Sequence, residues 1–464
     1  MGEATWNAGH LWLDGRWCAR ARIELDAAGR VARLATDAPP ADAGLLGRWV
    51  LPGMPNVHSH AFQRAMAGLA ERRGRDDDSF WTWRESMYAF AARIGPDELQ
   101  AIAAQLYVEM LKAGYTQVCE FHYLHQQPDG TPYADPAAMS LALVEAAREA
   151  GIGLTLLPVL YLSGGFDGRP LAPRQQRFGH TVESFLRMVE QLQRSEDAML
   201  RIGVALHSLR AVPEAPLAEV LAAVGQGELP IHIHIAEQLG EVQDCLAARN
   251  ARPIEWLLDH APVDARWCLV HATHADAGEL RRLAACGAVA GLCPTTEANL
   301  GDGLFPLADY LDANGRLAVG SDSNISVSPV QELRLLEYGQ RLASRHRAVA
   351  ARKRGASVAE TLWSAALRGG AQAAGILPLC SSGEGVAGSG EAPRADFLVL
   401  DDTSPLLAAR DAGSLLDSLV FAGDTPLVRD VMVGGQWQVR EGCHRDEQRI
   451  AERYRATVEQ LAAN

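Results

Sequence analysis

Residues 230–237 read PIHIHIAE. Isoleucine and histidine alternate over a run too short for a helix and rich in β-branched residues, which predicts a strand. Side chains alternate across a strand, so His232 and His234 share one face, and Glu237 follows where the strand ends.

Seven other short apolar runs resemble this one. In chain order they are 49–58, 116–122, 153–161 (GLTLLPVLY), 200–207 (LRIGVALH), then, after the run at 230–235, 267–271 (WCLVH), 288–293 (AVAGLC) and 316–322 (RLAVGSD). Segments with apolar spacings of three and four lie between them, at 96–113, 137–150, 180–194 and 275–286. Near-continuous apolar strands alternating with helices predict a parallel sheet covered on both faces. Eight such units predict an α/β fold of the (β/α)8 TIM-barrel type over residues 50–375. That span exceeds the roughly 250 residues of a plain barrel, so long loops are expected at 62–95 and 162–180.

The residues that end these runs carry the chemistry. The first run ends in His58 and, within NVHSHAFQR (56–64), His60. The fourth ends in His207, the fifth in His234 with Glu237, the sixth in His271 and the eighth in Asp322. A single histidine at a strand end is ordinarily a satisfied core group. Five strands each delivering a metal-type or proton-transfer residue to one rim predict a metal site, because barrel active sites lie at the C-terminal ends of the strands. His232 is expected to be packed or to support the site rather than to ligate.

The chain has 464 residues, too many for one compact core. Alternating segments at 9–17, 30–35, 396–401 and 425–439 flank the barrel region. They predict a small β-sandwich-like domain built from residues 1–49 and 376–443, with 381–395 as a flexible connection and a terminal helix over 444–464. A net charge of −14 argues against nucleic acid or an anionic membrane surface as partner. No secretory signal or membrane span is read from the sequence. The eight cysteines form no CxxC pair, which suits reduced thiols in a cytoplasm.

The order H-x-H, His, His and Ser-Asp on the last strand, with Leu51-Pro52-Gly53 before it and ADFLVLD (395–401) near the end, resembles the amidohydrolase superfamily of metal-dependent hydrolases. HSHAFQRAMAG (58–68), HSLRAV (207–212), HIHIAEQ (232–238) and CPTTEANLGDG (293–303) resemble its formimidoylglutamate deiminases. The resemblance covers almost the whole chain. It implies hydrolytic deimination of N-formimidoyl-L-glutamate to N-formyl-L-glutamate and ammonia, in histidine degradation, by a homodimer.

The resemblance further implies His58, His60, His234 and Asp322 as ligands of one divalent ion, zinc by default with iron or manganese as alternatives. Two-metal relatives bridge their ions with a lysine at the fourth strand. Here that region reads Ala205-Leu206-His207, and the chain's two lysines, Lys112 and Lys353, lie far from it. Glu237 is then the proton shuttle, His271 the group that stabilises the oxyanion, and Asp322 a second proton acceptor. Arg84 and Arg210 would take the two carboxylates of a small dicarboxylate substrate, with Gln63, Tyr123 and His207 adding hydrogen bonds. Trp81 and Trp83 are candidates for the pocket wall. A ring aminohydrolase acting on guanine, cytosine or an adenosine derivative shares the metal set, but predicts a flat aromatic slot and needs no pair of arginines. A catalytically dead interaction protein predicts lost ligands, and none is lost. Hydrolysis of a formyl or carbamoyl amide on the same skeleton calls for the same nucleophile and stays open.

Overall fold

The computed structural model describes residues 4–39, 43–71, 80–225, 227–380 and 392–463. Two sheets organise the chain. The barrel sheet contains β5 (Met54–Ser59), β6 (Tyr115–His122), β7 (Gly153–Leu160), β8 (Leu200–Ile202), β9 (Val204–Leu206), β10 (Ile231–Ile235), β11 (Trp267–His271), β12 (Val289–Leu292) and β13 (Arg316–Val319). Its strands are parallel and follow chain order from β5 round to β13. A parallel bridge between Ser59 and Asp322 draws the two edges together.

The fourth run is divided between β8 and β9. A Cβ on Gly203 would lie 2.6 Å from Leu157 Cδ2 and 2.7 Å from the Pro230 carbonyl oxygen, so the backbones approach where only glycine fits. The break lets β8 pair with the start of β7 while β9 pairs with both its end and β10.

The second sheet is built from both ends of the chain: β1 (Ala4–Leu13), β2 (Arg16–Leu25), β3 (Val31–Ala35), β4 (Gly44–Pro52), β14 (Phe397–Leu400), β15 (Val428–Val433), β16 (Gln436–Arg440) and β17 (Cys443–His444). β14 pairs antiparallel with β4, joining C-terminal strands to the strand just before the barrel. Leu11, Ile23, Val50, Phe397 and Met432 are in its apolar core. The run expected as one strand over 49–58 is therefore two strands: Val50–Pro52 belong to the terminal sheet, and the barrel begins at Met54.

Residues 62–95 are not simply a loop. They hold most of a 3-10 turn, Ala61–Met66, and a helix, Phe80–Ala91. Residues 72–79 and the Trp81 side chain lie outside the described residues, as does most of the expected connection, 381–391. The span 162–180 contains one 3-10 turn, Pro173–Phe178.

The helix Val358–Ala374 closes the barrel floor. Its Ala373 joins Val57, Val270, Val289 and Ala318 in the interior. Gln372 Nε2 donates to the carbonyls of Ala265 and Gly287 at 2.7 and 2.9 Å. His232 bonds the Ala373 carbonyl through Nε2 at 2.9 Å, so it serves the floor and not the mouth. The mouth is left as the place where buried polar groups collect.

Candidate active site

At the ends of β5, β10 and β11, and just past β13, His58, His234, His271 and Asp322 come together. His271 and Asp322 sit at φ 69° and 47°, a left-handed conformation uncommon for side-chain-bearing residues and concentrated at functional sites. The ends of the first and last strands are laced together. Asp322 N donates to the His58 carbonyl at 2.9 Å, and His60 N donates to the Asp322 carbonyl at 3.0 Å. Asn56 and Asn324, both buried, complete the lacing. Asn56 Oδ1 accepts from Ser321 N at 3.1 Å, and Asn324 Nδ2 donates to the His60 and Asp322 carbonyls at 3.1 and 2.9 Å.

This framework brings His58, His60, His234 and Asp322 together. His58 Nε2 is 2.9 Å from His234 Nε2 and 3.4 Å from Asp322 Oδ1; His60 Nε2 is 3.3 Å from the same oxygen. Two imidazole nitrogens about 2.0–2.1 Å from one ion stand about 3 Å apart, so the spacing fits shared coordination. His60 Nδ1 donates to the Phe121 carbonyl at 2.8 Å and His234 Nδ1 to the His207 carbonyl at 3.0 Å. Those bonds leave each Nε2 lone pair facing the cluster, as ligation requires. Burial lowers the pKa of His58 to about 3 and also lowers those of His60 and His234, so all three are neutral imidazoles. Asp322 is held below the usual carboxylate range: burial opposes this, but the hydrogen bond from His58 and the charge of His271 prevail. The donor set fits one divalent cation.

His271 also lies within ligand distance of this cluster, but its protonation differs. Burial pulls its pKa down, yet Glu237, Glu297 and Asp322 together raise it to about 10. A protonated imidazole has no lone pair for a metal and two N–H groups to donate. Nδ1 faces Glu297 Oε1 at 3.3 Å, while Nε2 lies 3.8 Å from both Glu237 Oε1 and Asp322 Oδ2. Burial raises Glu237 to about 7, against the pull of His271. The Glu241 carboxylate accepts from Ala236 N and Glu237 N at 3.1 and 3.0 Å, which sets the turn that presents Glu237.

A cavity of about 80 Å³ opens beside this cluster, and its walls hold Gln63, Arg84, Tyr123, His207 and Arg210 along with Glu237 and His271. Trp83 lines it as well. Gln63 Nε2 donates to the Tyr123 hydroxyl at 2.9 Å, and Gln63 Oε1 is buried with no hydrogen-bond partner among the described residues. Of the residues singled out in the sequence as ligands, proton carriers and substrate contacts, all but His58 line this one chamber, and His58 lies buried behind it in the ligand cluster.

Sequence reading missed Glu297. It lies inside the quoted CPTTEANLGDG stretch, on the helix Pro294–Leu300, and both orients His271 and accepts from Cys293 N at 2.9 Å. It also missed Glu120, which burial raises to about 8 and whose Oε1 accepts from Ala61 N at 2.5 Å beneath the turn carrying Gln63. A carboxylate inside an apolar run was the available signal.

The amidohydrolase family model matches residues 49–437. The chain belongs to the amidohydrolase family. Within it, this amidohydrolase is 53% identical to formimidoylglutamate deiminase of Pseudomonas aeruginosa over 440 residues, covering 95% of each chain. It is 27% identical to 5-methylthioadenosine/S-adenosylhomocysteine deaminase of Natronomonas pharaonis, over 84% of this chain and 81% of the other. A solved amidohydrolase from Brucella melitensis superposes with a TM-score of 0.91 at 42% identity, covering 99% of this chain and 100% of that one. A zinc-bound adenosine deaminase from Xanthomonas campestris, 20% identical, shares the fold with a TM-score of 0.80, covering 100% of this chain and 99% of that one.

One glycine ties this amidohydrolase's fold to its site. A Cβ on Gly320 would lie 2.8 Å from His58 N and Cβ and 2.9 Å from its carbonyl oxygen. Gly320→Ala is expected to cost about 1–3 kcal/mol of stability and to displace His58. Thermal unfolding and metal analysis check this. A variant with unchanged melting temperature and full metal content would show that the strand end yields freely.

Proposed function

We propose that this amidohydrolase deiminates N-formimidoyl-L-glutamate to N-formyl-L-glutamate and ammonia, the reaction named for its relative in Pseudomonas aeruginosa and a step of histidine degradation. The observation that carries this reading is the placing of Arg84 and Arg210 on the wall of the cavity that also holds Glu237 and the ligand cluster. Guanidinium forks pair with carboxylates, and two of them suit the glutamate skeleton. A ring aminohydrolase has no use for that pair.

His58, His60, His234 and Asp322 would hold the divalent ion, zinc in this reading. The ion supplies Lewis acidity, bringing the pKa of a water toward neutrality. The protein's own groups do the rest. Gln63 Oε1, a buried acceptor with no partner among the described residues, takes an N–H of the amidine. Glu237 receives a proton from the attacking water and passes it to the departing nitrogen. His271, its Nδ1 held by Glu297, donates from Nε2 to the oxygen as negative charge develops there. Tyr123 steadies Gln63, and His207 closes the wall between Tyr123 and Tyr161.

The same reading includes a homodimer, which light scattering would test, and a cytoplasmic setting. The latter is supported by Cys18, Cys119, Cys245, Cys268 and Cys293, which are buried as free thiols.

Ammonia release is the assay, with N-formimidoyl-glycine, guanine and N-formyl-L-glutamate as comparison substrates. Arg84→Met and Arg210→Met are each expected to lower kcat/KM for the glutamate compound about 10- to 100-fold, with metal content intact, because each removes a charge-assisted pair worth about 1.5–3 kcal/mol. Robust turnover of guanine, or indifference to both substitutions, would overturn the substrate assignment.

A further inference from the structure

Arg84 enters the cavity from the helix Phe80–Ala91, and what aims it lies behind the wall. Its Nη2 donates to the Tyr161 hydroxyl at 3.0 Å, and its guanidinium lies 5.1 Å from the centroid of the Tyr88 ring. Gln175 Nε2 donates to the same Tyr161 oxygen at 3.0 Å and to the Tyr88 hydroxyl at 3.4 Å. Gln175 Oε1 is fixed in turn by Ala172 N at 3.0 Å, which settles the orientation of the amide. Tyr161, Tyr88 and Gln175 are all buried. Neither Tyr161 nor Gln175 is among the residues lining the cavity.

The support itself is anchored. Gln175 belongs to the turn Pro173–Phe178, whose Arg177 is buried and donates to the carbonyls of Ala91, Ile94 and Gln126, the last two at 2.9 and 3.3 Å. The Arg177 carbonyl accepts from His125 N and Gln126 N at 3.1 and 2.9 Å. One buried arginine thus binds the end of the Arg84 helix, the loop after β6 and the turn bearing Gln175 into one body.

An arginine side chain left to itself samples many rotamers and must be ordered when it binds a carboxylate. We propose that Tyr161 and Gln175 are positioning residues for substrate specificity: they hold the Arg84 guanidinium in the pose that pairs with one carboxylate of the substrate, without touching the substrate themselves. The proposal rests on the dicarboxylate reading above.

Tyr161→Phe removes the oxygen and keeps the ring, which packs 4.4 Å from His207 and 5.9 Å from Phe178 between centroids. It is expected to raise KM for N-formimidoyl-L-glutamate about tenfold and leave kcat within about twofold. Gln175→Met is expected to give the same pattern more weakly. N-formimidoyl-4-aminobutyrate and N-formimidoyl-2-aminobutyrate each lack one carboxylate, and the compound missing Arg84's partner should be insensitive to Tyr161→Phe. In an Arg84→Met background, Tyr161→Phe should add nothing. A uniform loss of kcat on all three substrates, or a full additional effect on top of Arg84→Met, overturns the proposal. If Arg84→Met raises KM while Tyr161→Phe and Gln175→Met behave as wild type, this proposal alone falls. If Arg84→Met leaves all three substrates unchanged, the dicarboxylate reading falls and takes this proposal with it.

Discussion

Glu237→Gln is expected to lower kcat by about 10³-fold while leaving metal content and melting temperature near wild type, since positioned general acid–base groups contribute about 10²- to 10⁴-fold. The substitution preserves shape and the Glu241-held turn but removes the group that carries a proton between water and the leaving nitrogen. KM should change little, because the carboxylate contacts lie elsewhere on the cavity wall.

The pH profile gives an independent readout. To receive a proton, Glu237 must start as a carboxylate, and burial lifts its pKa to about 7. Its active form is therefore lost as pH falls through neutrality, so kcat/KM should rise with pH along a limb near or below pH 7. A bound cation favours the carboxylate and moves the limb downward. The limb should vanish in the glutamine variant. A variant that keeps both the rate and the limb would remove Glu237 from the reaction.

Much of this site was legible in the sequence for a definite reason. Parallel strands buried on both faces read as short apolar runs, so a histidine or aspartate at the end of such a run stands out. His58, His60, His234, His271 and Asp322 are all of this kind. What escaped is what the run pattern does not encode. Trp49–His58 looked continuous because Val50–Pro52 and Met54–Val57 are both buried and, Asn56 apart, apolar, though they serve different sheets. Glu297 lies on a helix rather than at a strand end, and its role appears only when His271, 26 residues earlier, comes within 3.3 Å. Tyr161 and Gln175 act on Arg84 across 77 and 91 residues of sequence through hydrogen bonds, for which no local pattern exists.

The comparison of rival substrates turns on the same division. The ligand cluster, Glu237 and His271 are rim features that any hydrolase of this family could use on a ring or on a linear amidine. Only the wall distinguishes them: two guanidiniums and an amide oxygen with no partner among the described residues favour an extended, doubly anionic molecule with an N–H to donate.

Removal of the metal is the second large effect expected. A strong chelator should bring ammonia release to background, and one equivalent of a divalent ion should restore it; His234→Ala should resist restoration. The apo protein should also be less stable. Without the ion, the buried His60 Nε2 lone pair faces the Asp322 carboxylate oxygen at 3.3 Å, and an unsatisfied buried polar group costs about 1–3 kcal/mol. Binding only to the folded state adds about 4 kcal/mol when the free ion is at 1,000 times Kd. For a chain of this size that raises the melting temperature by several degrees. The apo form should weaken further as pH drops. His58 stays neutral in the fold down to about pH 3, whereas its ordinary value is 6.5, so the unfolded chain binds more protons between those values and stability falls as pH falls. Because the imidazoles are already deprotonated in the fold, metal affinity should be nearly level between about pH 8 and 6, where sites with ordinary histidines lose affinity to protons. Calorimetric titration across that range, with scanning calorimetry of the apo and loaded forms, tests both points. Equal stability of the two forms, or an affinity that falls steeply below pH 7, would mean that the buried cluster is not the ligand set.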